Sequence, residues 1–168
     1  FKGYKLRIGK SSWENDIKRI ETAKSLWDGF LMVDAIMGTI RPPLKINDWE
    51  SKIRDLDRFN LTWLEEPIRW EDDKRGLREL SKRTTIPLSG GESELTSFGC
   101  RSLLEEDAIQ ILQFDCTMFG GFTHGRKLAS ICELNHIDVA PHHDCYIHAS
   151  LVASTPVGRI LESFPDPE

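Results

Sequence analysis

Three carboxylates close three apolar runs: Asp34 after "FLMV", Glu65 after "LTWL" and Glu92 after "IPLSGG". Acids are seldom left beside a core without a partner. Three of them, with no thiol or imidazole in the set, suit a hard cation, and Mg²⁺ is the first expectation. Mg²⁺ keeps several of its waters, which leaves positions for substrate oxygens. The plainer alternative is three unrelated strand-end acids that cap helix N-termini. A second constellation pairs His142, after "IDVAP", with Asp115, at the end of "AIQILQFD". A carboxylate beside a histidine fixes the ring tautomer and raises its basicity, as a general acid/base requires. A third is Lys5 and Arg7, which share one strand face through their two-residue spacing. A lysine becomes a base when neighbours lower its pKa, whereas arginine stays protonated; simple solvated cations are the alternative here. Glu162 is the last acid of the series. His143 and His148 read as bystanders, and His124 and His136 carry no assigned chemistry.

These residues need a scaffold that delivers one polar group per strand. Strand-like runs alternate with helical patterns along the whole chain, which predicts βαβ units and a parallel sheet. The strands fall at "YKLRI" (4–8), "FLMVDA" (30–35), "LTWLEEP", "IPLSGGE" (86–92), "AIQILQFD" (108–115), "IDVAPHH" (137–143) and "RILESF" (159–164), seven in all. Between them, Ser11 to Glu14 reads as a capping box that opens a helix, and Asn47 to Glu50 repeats that logic. Trp49, Ile53, Leu56 and Phe59 lie on one helical face. Pro42-Pro43 breaks the chain, and further helices are expected at about 73–84, at about 96–105, after "GG" at 120–121 and at "IHASLVAS". The polar strand ends recur roughly every 20 to 30 residues, one helix plus one strand. In a closed parallel barrel such ends meet at one mouth, where barrel active sites lie; in an open sheet they would spread along an edge. Glu65 and Glu66 point to opposite faces, so only Glu65 is a ligand candidate; Glu66 reads as support, and Pro67 turns the chain out.

The bulk numbers narrow the function. The chain has 168 residues, with 22 Lys+Arg against 27 Asp+Glu and a net charge of −5. That balance, with no basic aromatic stripe, argues against nucleic acid or an anionic membrane as partner. No run reaches the roughly 18 apolar residues of a membrane span, and no signal peptide opens the chain. The four cysteines are widely spaced, as free thiols of a cytoplasmic protein would be. There is no dinucleotide fingerprint and no P-loop. Both ends look cut from something longer.

The motifs "YKLRIG", "VDA", "WLEEP", "IPLSGGE", "FDCTMFGGFTHGRKLA", "APHHDCYIHASLVAS" and "ILESFPDP" together resemble the enolase superfamily, in its mandelate racemase-like subgroup. The resemblance covers nearly the whole chain, and its specificity lies in the combination. It implies a (β/α)7β barrel, incomplete here. Residues 1–168 would be a partial barrel domain from the second to the eighth strand, without the N-terminal capping domain. It implies that Mg²⁺ is held by Asp34, Glu65 and Glu92, and that the proton α to a carboxylate is abstracted to give an enediolate that the metal stabilises. His142 with Asp115 would be the acid/base dyad, and Glu162 would hydrogen-bond the substrate carboxylate. A full-length homo-oligomer is implied as well.

Two departures bear on the reaction. The second residue of the family's K-x-K motif, the lysine base of many members, falls at Arg7. Ile36 stands where many relatives have Asn. A dehydratase needs only one good acid/base on the correct face: it removes the α-proton and then helps the β-hydroxyl leave. That favours Mg²⁺-dependent dehydration of an acid sugar to a 2-keto-3-deoxy acid. Racemisation or epimerisation of a 2-hydroxy acid is the close alternative, and a catalytically incomplete barrel piece that binds metal or a partner is another. A metal-dependent amidohydrolase fits poorly, because the H-x-H of such barrels is absent from this chain.

Overall fold

Strand and helix alternate from the first residues. The computed structural model describes residues 1–36, 44–69 and 74–164, so the Pro42-Pro43 break and the expected helix start at 73 lie outside the described residues. The chain forms two units, residues 1–89 and 90–168.

The first unit runs β1 (Gly3–Arg7), α1 (Trp13–Leu26), β2 (Phe30–Asp34), α2 (Ile46–Asp57), β3 (Trp63–Glu65), α3 (Lys74–Ser81) and into β4 (Leu88–Gly90). The strands pair in parallel and in chain order, with Arg7 opposite Asp34, Asp34 opposite Glu65 and Glu65 opposite Ser89. Parallel strands covered on both faces read as continuous apolar runs, and Leu31, Met32 and Val33 are all buried. The expected face of α2 is the observed one: Trp49, Ile53 and Leu56 are buried, with Phe59 just beyond. Each such side chain contributes roughly 1.5–3 kcal/mol. The helix starts differ from expectation. Ser12 rather than Ser11 caps α1, accepting the Asn15 N–H at 3.3 Å. For α2 the N-cap is Lys45, whose N–H goes to the Asp48 carboxylate at 2.9 Å. At α1 two adjacent serines compete for one cap, and sequence spacing alone does not rank them.

The second unit takes over at Gly90, the last residue of β4, whose carbonyl accepts the Gln113 N–H at 2.8 Å. It continues with α4 (Ser97–Glu105), β5 (Ile111–Leu112), α5 (Gly121–Leu134), β6 (Asp138–Val139) and α6 (Cys145–Ala153). β5 and β6 pair in parallel through Ile111–Asp138 and Leu112–Val139. The regular strands are shorter than the apolar runs, but the ladder bonds go on past them. Ala140 N–H donates to the Leu112 carbonyl at 3.0 Å and His142 N–H to that of Phe114 at 3.1 Å. That extension carries Asp115 and His142 side by side.

The seventh strand, expected at 159–164, does not form. Val157–Arg159 bridges Val139 in parallel, with Val139 N–H to the Val157 carbonyl at 2.8 Å and Arg159 N–H to that of Val139 at 2.9 Å. The next rung would need an N–H from residue 141, which is proline and has none. The ladder therefore stops, and the segment holding Glu162 is an extended strap.

Candidate active site

In the first unit the parallel register sets the acids next to each other. Asp34 is 4% exposed and Glu65 fully buried. The two β1 cations turn onto them: Lys5 Nζ lies 2.5 Å from Glu65 Oε1, and Arg7 Nε 3.2 Å from Asp34 Oδ2. The remaining oxygens are also engaged. Trp63 Nε1 donates to Glu65 Oε2 at 3.0 Å, and the Ile36 N–H to Asp34 Oδ1 at 2.7 Å. Burial, and then the Glu65 charge, push Asp34 above the usual carboxylate range; Ile36, Lys5 and Arg7 pull the other way and do not cancel the effect. Two buried carboxylates in adjacent register positions, one still resisting ionisation, form the donor chemistry that a hard divalent cation satisfies. Asp34 and Glu65 fit Mg²⁺ in that sense.

Of the expected three-carboxylate set, Asp34 and Glu65 lie in the first unit and Glu92 in the second. Among the described residues no group of three or more His, Cys, Asp or Glu side chains is arranged to hold a metal ion. Lys5 and Arg7 draw the Asp34 and Glu65 carboxylates toward β1, and Glu92 belongs to the second unit, where it faces His142.

The second unit brings together His142, Asp115, Glu92 and Glu162. His142 Nδ1 is 3.4 Å from Asp115 Oδ2; Nε2 is 3.6 Å from Glu92 Oε2 and 3.8 Å from Glu162 Oε2. Asp115 on the Nδ1 side favours the Nδ1–H tautomer, which leaves the Nε2 lone pair free to take a proton. The 3.4 Å separation is long for a hydrogen bond, as acid/base pairs often are without substrate. Asp115 is itself held. Its Oδ1 accepts the Thr117 N–H at 2.8 Å and the Thr117 hydroxyl at 2.7 Å. Burial alone would raise this carboxyl; the two Thr117 bonds, with His142 and His148, outweigh it and keep Asp115 below its ordinary range. Glu162 Oε2 accepts the His143 N–H at 2.8 Å, so the strap is tied to the histidine turn without being a strand.

Three of the six non-glycine residues with left-handed backbones among the described residues lie just past these strand ends. Ile36, Glu66 and His143 all have left-handed backbones, with φ of 51°, 38° and 57°. Non-glycine residues there store of order 1–3 kcal/mol each and concentrate at functional sites. Glu66 is buried as expected of a supporting residue.

Three partners were not foreseen. Trp63 holds Glu65, and the signal was present: residues two apart in a strand share a face. Thr117 holds Asp115 in a D-x-T turn, a known side-chain-to-backbone motif. His148, read as a bystander, is fully buried, and its Nε2 accepts the Cys116 N–H at 3.0 Å. A lone helical histidine gives no periodic cue to that role.

All 168 residues match the family described as "Enolase C-terminal domain-like". The chain is 29% identical over 172 aligned positions to the 3,6-anhydro-alpha-L-galactonate cycloisomerase of Streptomyces coelicolor, covering 97% of the chain and 44% of that protein. It is 32% identical to the L-talarate/galactarate dehydratase of Salmonella typhimurium, over 96% of the chain and 40% of that protein. It therefore spans less than half the length of these curated relatives. Among solved structures, the L-talarate dehydratase from Polaromonas sp. JS666, complexed with Mg and L-glucarate, superposes with a TM-score of 0.88 at 30% identity. That match covers 98% of the chain and 45% of the other. Among the described residues no helix is long and apolar enough to cross a membrane.

Proposed function

Because the chain belongs to the Enolase C-terminal domain-like family, we propose that it is the barrel part of an Mg²⁺-dependent acid-sugar dehydratase. It would remove the proton α to a carboxylate and expel a β-hydroxyl to leave a 2-keto-3-deoxy acid. The observation that carries this reading is the asymmetry of the proton-transfer groups. His142 is oriented by Asp115 on Nδ1, with Nε2 on the side of Glu92 and Glu162, whereas the β1 position that would supply a second base is Arg7, paired to Asp34 at 3.2 Å. Arginine does not deprotonate in a protein. One acid/base that serves in both steps suits elimination better than two-sided racemisation.

Each side chain has a stated task. His142 Nε2 takes the α-proton, and the resulting imidazolium is held by Asp115 on Nδ1. The same proton then goes to the departing hydroxyl, so acid and base are one ring. Lys5, 14% exposed at its side chain, supplies fixed positive charge beside the forming enediolate, as does Arg7. Glu162, in its protonated form, would donate to the substrate carboxylate from one oxygen while the other accepts the His143 N–H that fixes its direction. Asp34, Glu65 and Glu92 would hold Mg²⁺. When bound, that cation supplies charge neutralisation for the substrate carboxylate as negative charge develops. Several relatives are dehydratases, and the Polaromonas enzyme holds Mg and L-glucarate; both support the substrate class. A homo-oligomer working in the cytoplasm completes the proposal. The full-length protein, offered a panel of acid sugars with Mg²⁺, is expected to form a 2-keto-3-deoxy acid from at least one. Turnover confined to epimerised acid, with no keto acid from any sugar, would overturn the reading.

A further inference from the structure

His148 sits in the first turn of α6, six residues after His142, and none of its surface reaches solvent. The helix is capped by Asp144, whose carboxylate accepts the Ile147 N–H at 3.2 Å. The imidazole points from there to the end of β5. Its Nε2 accepts the Cys116 N–H at 3.0 Å, and its ring meets Phe114 edge-on at 6.4 Å. Acceptance at Nε2 places the ring proton on Nδ1, which makes no hydrogen bond of strict geometry, although the Asp144 backbone lies close to the ring. Nε2 also lies 3.7 Å from Asp115 Oδ1. Cys116 stands between Asp115 and Thr117, and Thr117 occupies Asp115 Oδ1 twice, so only Oδ2 remains for His142. The direction of Oδ2 is set by the 115–117 turn, and His148 holds the middle amide of that turn. A Cβ added at Gly125 of α5 would come within 2.5 Å of Cys116 Sγ, so α5 also packs closely on the turn. Both α5 and α6 thus contact Cys116.

We propose that His148 is a positioning residue: through the Cys116 amide it fixes the turn that aims Asp115 at His142. The catalytic consequence rests on the dehydratase reading; the structural part does not. An apolar side chain of similar size would fill the space and leave the Cys116 N–H buried without an acceptor. A glutamine places its amide oxygen near the position of Nε2 and keeps that bond.

The test compares His148→Phe and His148→Gln in the full-length protein by amide hydrogen exchange at Cys116 and Thr117, thermal midpoint, and kcat and KM for keto-acid formation. In His148→Phe the Cys116 amide is expected to exchange roughly tenfold faster. Its kcat is expected to fall about 10- to 100-fold with KM little changed, because a small misplacement of a catalytic group costs that much. His148→Gln is expected to restore both. Unchanged protection and kcat in His148→Phe, or His148→Gln behaving like His148→Phe, would overturn the inference. Should His148→Phe not fold, His148→Asn, too short to reach the amide, is set against His148→Gln with the same expectations. A wild-type protein without turnover on any acid sugar would defeat the functional reading alone, since amide exchange decides the positioning independently.

Discussion

Replacing Lys5 with methionine separates the two cations that compete for Glu65. The ammonium lies 2.5 Å from Oε1 of a carboxylate with 1% of its side chain exposed. Removal of one partner of a buried ion pair typically costs about 3–5 kcal/mol, because the other charge stays buried. Lys5 keeps 14% of its side chain in water, so the lower end, about 3 kcal/mol, applies. For a chain of this size each kcal/mol moves the thermal midpoint by roughly 2–4 °C, so Lys5→Met should melt roughly 6–12 °C below wild type without metal. Mg²⁺ at about a hundred times its Kd then returns about 2.7 kcal/mol to a protein that binds it only when folded. The wild type should gain less, because there the metal must displace the ammonium. Double replacement with Glu65→Gln should recover most of the loss, since neither charge is then stranded. Midpoints measured by circular dichroism with and without Mg²⁺ provide the assay. Equal Mg²⁺ shifts in wild type and Lys5→Met would refute the assignment of Glu65 as a ligand held in reserve by Lys5.

Ile36→Asn should stabilise the protein by about 1 kcal/mol, read as a higher urea midpoint at unchanged slope, because Asn tolerates the left-handed backbone that a β-branched residue resists. Acidification should weaken the fold through His148. Burial holds this ring below its ordinary 6.5, against the pull of the Asp115 charge and of the Asp144 backbone and charge, and with a small push from His142. The unfolded chain therefore binds a proton that the folded one refuses, and stability falls as pH drops below about 6.5 until the folded pKa is passed. His148→Gln should lose less stability than wild type between pH 7.5 and 5.5 by urea titration; an equal loss would contradict this. Arg7→Lys should introduce α-proton exchange at the second face of a 2-hydroxy acid in D₂O, measurable by NMR, where the native protein exchanges one face only.

The fold was legible because each strand is short, apolar and closed by an ionisable residue. Alternation of such runs with amphipathic stretches forces parallel crossover units. Asp34 and Glu65, and separately Asp115 and His142, could be paired from chain order alone, since consecutive parallel strands place their ends side by side. What escaped was set by details with no periodic trace. Pro141 removes the one N–H that a last strand needed, so Glu162 arrives on a strap. Lys5 and Arg7 could be read as bases or surface cations, yet they lie on the carboxylates, because buried acids recruit the nearest positive charge. His148 looked inert because its task is to accept a backbone proton, which sequence spacing does not encode.

The central claim is single-faced proton abstraction by His142, and deuterium incorporation at the α-carbon tests it most directly. The full-length protein is incubated in D₂O with Mg²⁺ and the acid sugar that gives keto acid, and the α-carbon is read in the substrate recovered before completion, because in the product that carbon is the keto carbon and holds no hydrogen. Label is expected to enter from one face only, to require Mg²⁺, and to disappear in His142→Asn. Label that persists in His142→Asn, or that enters without Mg²⁺, would contradict the account.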